Sequence, residues 1–178
     1  MGRWRRPPGL EAGEAARIRI KVNALVDPEV VEALYAASAV GATVEAVTRG
    51  VCVLRPGVSG MSERIAVRSV LGRFLEHSRI LSFQAGDRVS TWIGSADLMP
   101  RNLDRRIEVM APVEDAALRT RIASVLDVLL SDTRFAWELG ADGMWRRCTP
   151  ADGAKPVSAQ EVLMQQAAER ARKKRART

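Results

Sequence analysis

The fold is decided by residues 17–48, RIRIKVNALVDPEVVEALYAASAVGATVEAVT. The stretch opens with apolar and polar side chains in alternation, which is the period of a β-strand. Asp27 followed by Pro28 predicts a helix start, because the carboxylate caps free N–H groups and proline fits the first helical position. Apolar residues at helical spacing follow as far as Gly41, and residues 43–48 form a second short strand. This order predicts a β-α-β unit, which builds parallel sheets.

The rest of the chain continues with alternating helix and strand patterns. In chain order the predicted elements are a helix at 63–76, a hairpin of strands 80–83 and 89–93, a strand at 107–113, a helix at 115–132, a hairpin of strands 135–139 and 144–148, and a last helix from the capping box of Ser158 and Glu161. We expect an α/β fold with a mixed sheet flanked by helices. One domain spans 17–172, between a flexible basic segment at 1–16 and a basic tail at 173–178.

Composition excludes several classes of protein. The 178 residues are 47% hydrophobic and 28% charged, which is ordinary for one folded domain. No apolar run approaches the roughly 18 residues of a membrane helix, and residues 1–16 lack the apolar centre of a secretory signal, so a cytoplasmic protein without a membrane span is expected. Cys52 and Cys148 are two buried free thiols by this interpretation, since their spacing suits neither a disulfide framework nor a zinc site.

The net charge of +7 is unevenly distributed. Residues 49–106 hold ten arginines and no lysine against five acids, a local surplus that favours an anionic ligand or a solvated surface. The tail after Glu169 adds six basic residues. We expect this tail to fray from Arg170 onward, either as a solvated helix end or as a contact for a long polyanion. Aromatic content of 4% and the lack of a binding motif argue against a specific nucleic-acid partner.

Residues 68–79, RSVLGRFLEHSR, contain His77, the one histidine of the sequence, among three arginines. A histidine beside guanidinium groups can hold a phosphate and still transfer a proton at neutral pH. The alternative interpretation is a surface or core histidine without a function. If the predicted helix reaches His77, then Ser69, Arg73 and His77 lie along one of its faces; if it ends at Glu76, His77 begins the next strand.

Two glycine-containing loops follow predicted strands on either side of His77. They are residues 49–60, RGVCVLRPGVSG, and residues 94–106, GSADLMPRNLDRR. Ligands of α/β sheets bind in such loops, beyond the ends of the strands. Both loops are rich in arginine, so we expect them to contribute phosphate contacts.

The order of His77, Arg79 and the loop that opens with Gly-Ser resembles the phospholipase D-like superfamily. That resemblance implies two facing half-domains that each supply one histidine, and this chain carries one. The sequence departs from the superfamily pattern, which has lysine at Arg79, asparagine at Asp97 and an aspartate near Phe83 and Gln84. These departures disfavour a phosphodiesterase.

Longer strings resemble the last catalytic domain of bacterial polyphosphate kinase. They are KVNALVD at 21–27, RGVCVLRPG at 49–57, RSVLGRFLEHSR at 68–79 and GSADLMPRNLDRR at 94–106. The resemblance implies reversible transfer of the terminal phosphoryl group of ATP to inorganic polyphosphate through a phosphohistidine. It places that phosphohistidine and the Mg²⁺ ligands in the preceding catalytic domain, which an upstream segment or a partner chain would supply. A homo-oligomer is one arrangement in which a partner chain would do so.

The resemblance also implies roles for individual residues. His77 corresponds to the histidine that transfers a proton to or from the nucleotide, and Arg49 to the arginine that contacts the nucleotide. The further candidates for binding ATP or phosphate are Arg55, Arg79 and Arg101, because forked guanidinium groups bind phosphate oxygens in pairs. Other interpretations are that Arg55 braces its loop and that Arg105 or Arg106 pairs with Asp104 or Glu108. A non-catalytic module that binds polyphosphate or nucleotide is the alternative function.

Overall fold

The computed structural model describes residues 16–176, which contain eight strands and four helices. The strands are β1 (Ala16–Lys21), β2 (Thr43–Thr48), β3 (Ile65–Val70), β4 (Ile80–Ala85), β5 (Arg88–Gly94), β6 (Met110–Pro112), β7 (Ala136–Leu139) and β8 (Trp145–Arg147). The helices are α1 (Pro28–Ala39), α2 (Pro100–Asp104), α3 (Ala116–Leu130) and α4 (Ala159–Arg175). The segment predicted to be flexible, 1–16, lies outside the described residues except for Ala16, and so do positions 177 and 178 of the tail.

The strands form one mixed sheet in the order β6-β5-β4-β1-β2-β3-β7-β8. β1 pairs in parallel with β2, and β2 pairs in parallel with β3, whereas the remaining pairs are antiparallel. The predicted β-α-β unit is confirmed. Asp27 caps α1 by accepting a hydrogen bond from the Val30 N–H at 3.0 Å, and Gly41 follows the helix with a φ of 100°, which favours glycine.

Helices cover both faces of the sheet, so the predicted α/β class with a flanked mixed sheet is confirmed. α1 contributes Val31 and Leu34 to the larger core cluster, on the face of the sheet that includes Val44. α3 and the start of α4 cover the opposite face, where Leu129 and Ala159 belong to a second cluster. The two faces arise because successive residues of a strand point to opposite sides of the sheet.

The helix predicted at 63–76 is wrong. Residues 65–70 form β3, and residues 71–79 form a loop that leads into β4. The helical spacing relied on Leu71 and Phe74, which are 51% and 48% exposed. The competing alternation of Ile65 and Val67, both buried, prevails because it lets this segment pair with the free edge of β2.

Smaller differences concern the ends of elements. The predicted strand 107–113 is reduced to β6, and the loop at 94–106 contains the short helix α2. The frayed end expected from Arg170 is instead helical through Arg175. Cys52 and Cys148 are free thiols as predicted, but both are half-buried rather than buried. No helix within residues 16–176 is long and apolar enough to cross a membrane.

Candidate functional site at one edge of the sheet

Three segments that follow strand ends lie side by side at one edge of the sheet. β5 runs antiparallel to β4, which is antiparallel to β1, so β1, β2 and β5 all end at this edge. Beyond the strands, Leu25 forms parallel bridges to Cys52 on one side and to Leu98 on the other. The two arginine-rich loops therefore flank the segment that follows β1, one on each side, at this edge of the sheet.

The loop at 71–79 presents His77, which is exposed, at the same edge. Lys21, 2% exposed at the end of β1, places its Nζ 2.5 Å from Oε2 of Glu76. Arg49 donates from Nη1 to the Glu76 carbonyl at 3.0 Å, so its guanidinium ends at the peptide bond that precedes His77. These contacts bring the predicted residues Arg49 and His77 together.

Glu76 closes the base of this loop. Its Oε1 accepts a hydrogen bond from the Ser78 N–H at 3.0 Å. Burial raises the pKa of Glu76, but the hydrogen bonds from Lys21 and Ser78 outweigh burial and lower that pKa below its ordinary value. Glu76 is therefore a carboxylate at neutral pH. Its charge compensates that of the buried Lys21, which leaves the cation of Arg49 available to an incoming anion.

Arg79 forms a buried ion pair with Asp97. The Arg79 side chain is 8% exposed and donates from Nη2 to Oδ2 of Asp97 at 2.8 Å and from Nε to Oδ1 at 3.3 Å. Asp97 also accepts from the backbone N–H groups of Asn23 at 2.7 Å and Ala24 at 3.2 Å. Arg79 and Asp97 occupy the two positions at which the phospholipase D-like pattern has lysine and asparagine, and they form a charged pair instead.

The third nitrogen of Arg79 holds His77. Nη1 donates to the His77 carbonyl at 2.8 Å and lies 2.9 Å from the His77 Nε2. All three guanidinium nitrogens are thus engaged inside the protein, which leaves Arg79 poorly placed to bind phosphate directly. Arg79 thus contacts both the carbonyl and the ring of His77, and the sequence did not predict these contacts.

We expect the Arg79→Lys variant to lose about 1–2 kcal/mol of unfolding free energy, because an ammonium group cannot make the bidentate contact. Burial raises the pKa of Asp97, but Arg79 and the backbone donors outweigh it and lower that pKa below its ordinary value. The pair therefore stabilises the fold above the ordinary aspartate pKa, and this contribution is lost as the pH falls through the folded-state value. Denaturant unfolding at pH 7 and pH 3 should show that the variant loses less unfolding free energy between these two pH values than the wild type does.

Arg64 is exposed, so Arg64→Lys is the matched control for this prediction. It should leave the unfolding free energy unchanged at pH 7 and at pH 3. An Arg79→Lys variant with the wild-type pH dependence would show that the ion pair does not stabilise the folded state.

Glu108 anchors the second loop. It accepts hydrogen bonds from the Ser95 hydroxyl and from Nδ2 of Asn102 at 2.6 Å, and these hydrogen bonds lower the pKa of Glu108. Arg106 pairs with the same carboxylate at 3.2 Å, as one of the sequence interpretations had it. The bracing of Ser95 by Glu108 was missed. The sequence signal for this contact is the Gly-Ser at the start of the loop together with an acidic residue shortly before the next strand. The Ser95 N–H donates to the Val109 carbonyl at 3.0 Å, and this bond brings Ser95 next to Glu108.

Of the other predicted arginines, one lies near His77 and one lies at the opposite edge of the sheet. Arg101 is exposed in α2 at the site edge. Arg55 lies beside Gly143 in the turn between β7 and β8. Because β7 runs antiparallel to β3, that turn is at the edge of the sheet opposite His77. Arg68, grouped with His77 in the sequence, donates to the Leu130 carbonyl at the end of α3.

The sequence matches a known protein family. The family described as "Polyphosphate kinase C-terminal domain 2" matches residues 9–160. The chain belongs to the polyphosphate kinase family. A polyphosphate kinase of Streptomyces coelicolor is 52% identical over 154 residues, which are 86% of this chain and 21% of the relative. One of Mycobacterium tuberculosis is 53% identical over 149 residues, covering 84% of this chain and 20% of the relative.

A solved structure supports the family at the level of the fold. The crystal structure of polyphosphate kinase from Porphyromonas gingivalis superposes with a TM-score of 0.84 at 34% identity, over 89% of this chain and 24% of that chain. The α/β half-domain predicted from the sequence is thus shared with a polyphosphate kinase. The chain spans about a fifth of the length of the curated polyphosphate kinases that it matches.

Proposed function

We propose that this chain is the C-terminal catalytic portion of an ATP-polyphosphate phosphotransferase, in which His77 and the neighbouring arginines handle the nucleotide. The observation that carries the proposal is the exposed His77, contacted by Arg79 and flanked by Arg49 at the edge of the sheet where both arginine-rich loops begin. ATP as a substrate favours a cytoplasmic location for this activity.

The proposed role of His77 is proton transfer at the leaving oxygen of the nucleotide. When a phosphoryl group leaves ATP, negative charge develops on the oxygen that stays with ADP, and a nearby acid stabilises it by donating a proton. In the reverse direction the same imidazole accepts that proton. Arg49 and Arg101 would bind the flanking phosphate oxygens, because their guanidinium groups keep a positive charge at every physiological pH.

The phosphoryl acceptor has to come from outside this sequence. His77 is the one histidine among 178 residues, and the resemblance to polyphosphate kinase assigns the phosphohistidine to the preceding catalytic domain. Within residues 16–176 no group of three or more His, Cys, Asp or Glu is arranged to hold a metal ion. We propose that an upstream segment or a partner chain supplies both the nucleophile and the magnesium ligands.

Exposed apolar side chains around the site support a covering domain. The large exposed residues of this region are Leu71, Phe74, Leu75, Val51, Val53, Ile107 and Val109. They lie in the loops and at the strand ends that surround His77. Several large apolar side chains exposed near a polar site are typical of an interface with another domain. A second half-domain seated here would complete the site and exclude water from it.

The experiment is a complementation assay for ATP-dependent polyphosphate synthesis. We expect no synthesis by the purified chain alone and measurable synthesis after addition of the preceding portion of the Streptomyces coelicolor relative. Synthesis by the chain alone would reject the two-domain arrangement in favour of a site formed between copies of this chain. Binding of ATP and polyphosphate without synthesis in the mixture would select the non-catalytic binding module instead.

A further inference from the structure

The loop that carries His77 has no regular secondary structure of its own. Residues 71–79 lie between β3 and β4, and the apolar side chains of Leu71, Phe74 and Leu75 are exposed rather than inserted into the core. Between Gly72 and Ser78, therefore, neither a strand ladder nor core packing fixes the path of this backbone, although the Leu71 N–H still bonds to the Phe135 carbonyl. Contacts from other elements must fix it, and near His77 the Lys21–Glu76 pair holds one end.

The other end of the loop is held by Gln160, the second residue of α4. The Gln160 Oε1 accepts a hydrogen bond from the Phe74 N–H at 2.9 Å, and Nε2 donates to the Phe74 carbonyl at 2.8 Å. One amide thus satisfies both backbone groups of Phe74, as a neighbouring strand would. The Gln160 side chain is 9% exposed, so these bonds are shielded from water.

Gly72 lets the loop approach this amide. A Cβ added at Gly72 would lie 2.6 Å from the Gln160 Cδ, far inside van der Waals contact. The backbone of Gly72 is not left-handed, so the absence of a side chain matters here for space and not for conformation. Gly72 and Gln160 are complementary in shape, although 88 positions separate them in the sequence.

The start of α4 is itself firmly placed. Ser158 caps the helix, with its hydroxyl accepting from the Glu161 N–H. The Asp132 Oδ2 accepts from the Ala159 N–H at 2.7 Å, and Asp132 is 1% exposed. Gln160 therefore projects from a rigid base that is packed on the sheet face opposite α1.

We propose that Gln160 is a positioning residue for His77, acting through the loop at 71–79. Phe74 is three residues before His77, and the Lys21–Glu76 pair fixes the residue directly before it. With both points held, the backbone at His77 keeps the imidazole beside Arg79. The functional consequence rests on the proposed role of His77 in phosphate chemistry. The clamp, meaning the two hydrogen bonds between the Gln160 amide and the Phe74 backbone, is independent of that role.

The first test compares Gln160→Ala with Gln165→Ala, an exposed glutamine on the same helix, in the full chain. Amide hydrogen exchange of residues 71–79 should become at least about tenfold faster in Gln160→Ala, while exchange of β2 is unchanged. Gln165→Ala should match the wild type throughout. Exchange of residues 71–79 at the wild-type rate in Gln160→Ala would overturn the proposal.

The single histidine offers a second measurement. Its imidazole proton resonances can be followed by NMR during titration with inorganic tripolyphosphate, without overlap from other histidines. We expect the affinity reported by His77 to fall about tenfold in Gln160→Ala and less in Gln160→Glu, which keeps the acceptor for the Phe74 N–H. Gly72→Ala should have the same effect as Gln160→Ala, because it separates the loop from an intact glutamine.

The outcomes separate the clamp from the proposed function. Faster exchange of the loop with no response of wild-type His77 to tripolyphosphate would keep the clamp and reject the phosphate role. A wild-type response that Gln160→Ala and Gly72→Ala both leave intact would keep the phosphate role and reject Gln160 as its positioning residue. Should Gln160→Ala fail to fold, Gly72→Ala and Gln160→Glu give the same comparison.

Discussion

Polyphosphate synthesis in the complemented system should fall about 10²–10⁴-fold in the His77→Ala variant, the usual range for loss of a general acid or base. The proton that His77 would donate to the nucleotide oxygen then has to come from water. ATP binding should change little, because the arginines that we propose to contact the phosphates are intact. A loss in kcat with a nearly unchanged KM would therefore indicate a role in the chemical step.

Added imidazole distinguishes proton transfer from a structural role of His77. The alanine variant leaves room at an exposed position, so free imidazole should restore part of the rate in a concentration-dependent manner. His77→Asn keeps a hydrogen-bonding group but fills that space. It should be as inactive as the alanine variant, and added imidazole should not restore its rate. A His77→Ala rate within threefold of the Gln165→Ala control would exclude His77 from catalysis.

The Asp132→Ala variant should lose about 4 kcal/mol of unfolding free energy, because several buried N–H groups lose a charged acceptor at once. The carboxylate accepts from the N–H groups of Arg134 at 2.9 Å, Phe135 at 2.7 Å, Ala136 at 3.0 Å and Ala159 at 2.7 Å. The first three belong to the turn that starts β7, and the fourth begins α4. Removing the carboxylate thus loosens the strand and the helix together.

Thermal and denaturant unfolding measure this loss, which corresponds to a Tm lower by roughly 10 °C for a chain of this size. Asp127→Ala is the matched control. Its side chain is 61% exposed and makes one ion pair, with the mostly buried Arg19, so its removal should cost about 1 kcal/mol. Equal losses in the two variants would show that the hydrogen bonds of Asp132 do not stabilise the fold beyond a single ion pair.

Local signals predicted the elements whose ends carry special residues. Asp27, Pro28 and Gly41 define the ends of α1, and Ser158 defines the start of α4, because capping and the φ preference of glycine act within a few residues. The terminal hairpin was predicted for the same reason. The helix at 63–76 was wrong because its apolar spacing suits a helix or a strand, and the free edge of β2 lies far away in the sequence.

The candidate site divides in the same way. His77, Arg79 and Arg49 could be selected from the sequence because they are the histidine and arginines beside loops that follow strands. The structure places Arg49 and Arg79 beside His77, although Arg79 is engaged by Asp97, and the roles in binding and catalysis stay predictions. Arg55 could not be separated from them, since the course of residues 51–64 to the far edge of the sheet depends on where β3 pairs.

Residue types and short-range spacing were enough to define the α/β class, the β-α-β start and a cationic site around a single histidine. Those properties depend on capping, strand alternation and charge, which act between neighbours in the chain. Tertiary structure alone decided that Arg79 pairs with Asp97 instead of facing solvent. It also decided that the Gln160 amide packs against Gly72 and hydrogen-bonds the backbone of Phe74. Such contacts join residues 18 to 88 positions apart, and their geometry exists only once the sheet has brought its strand ends together.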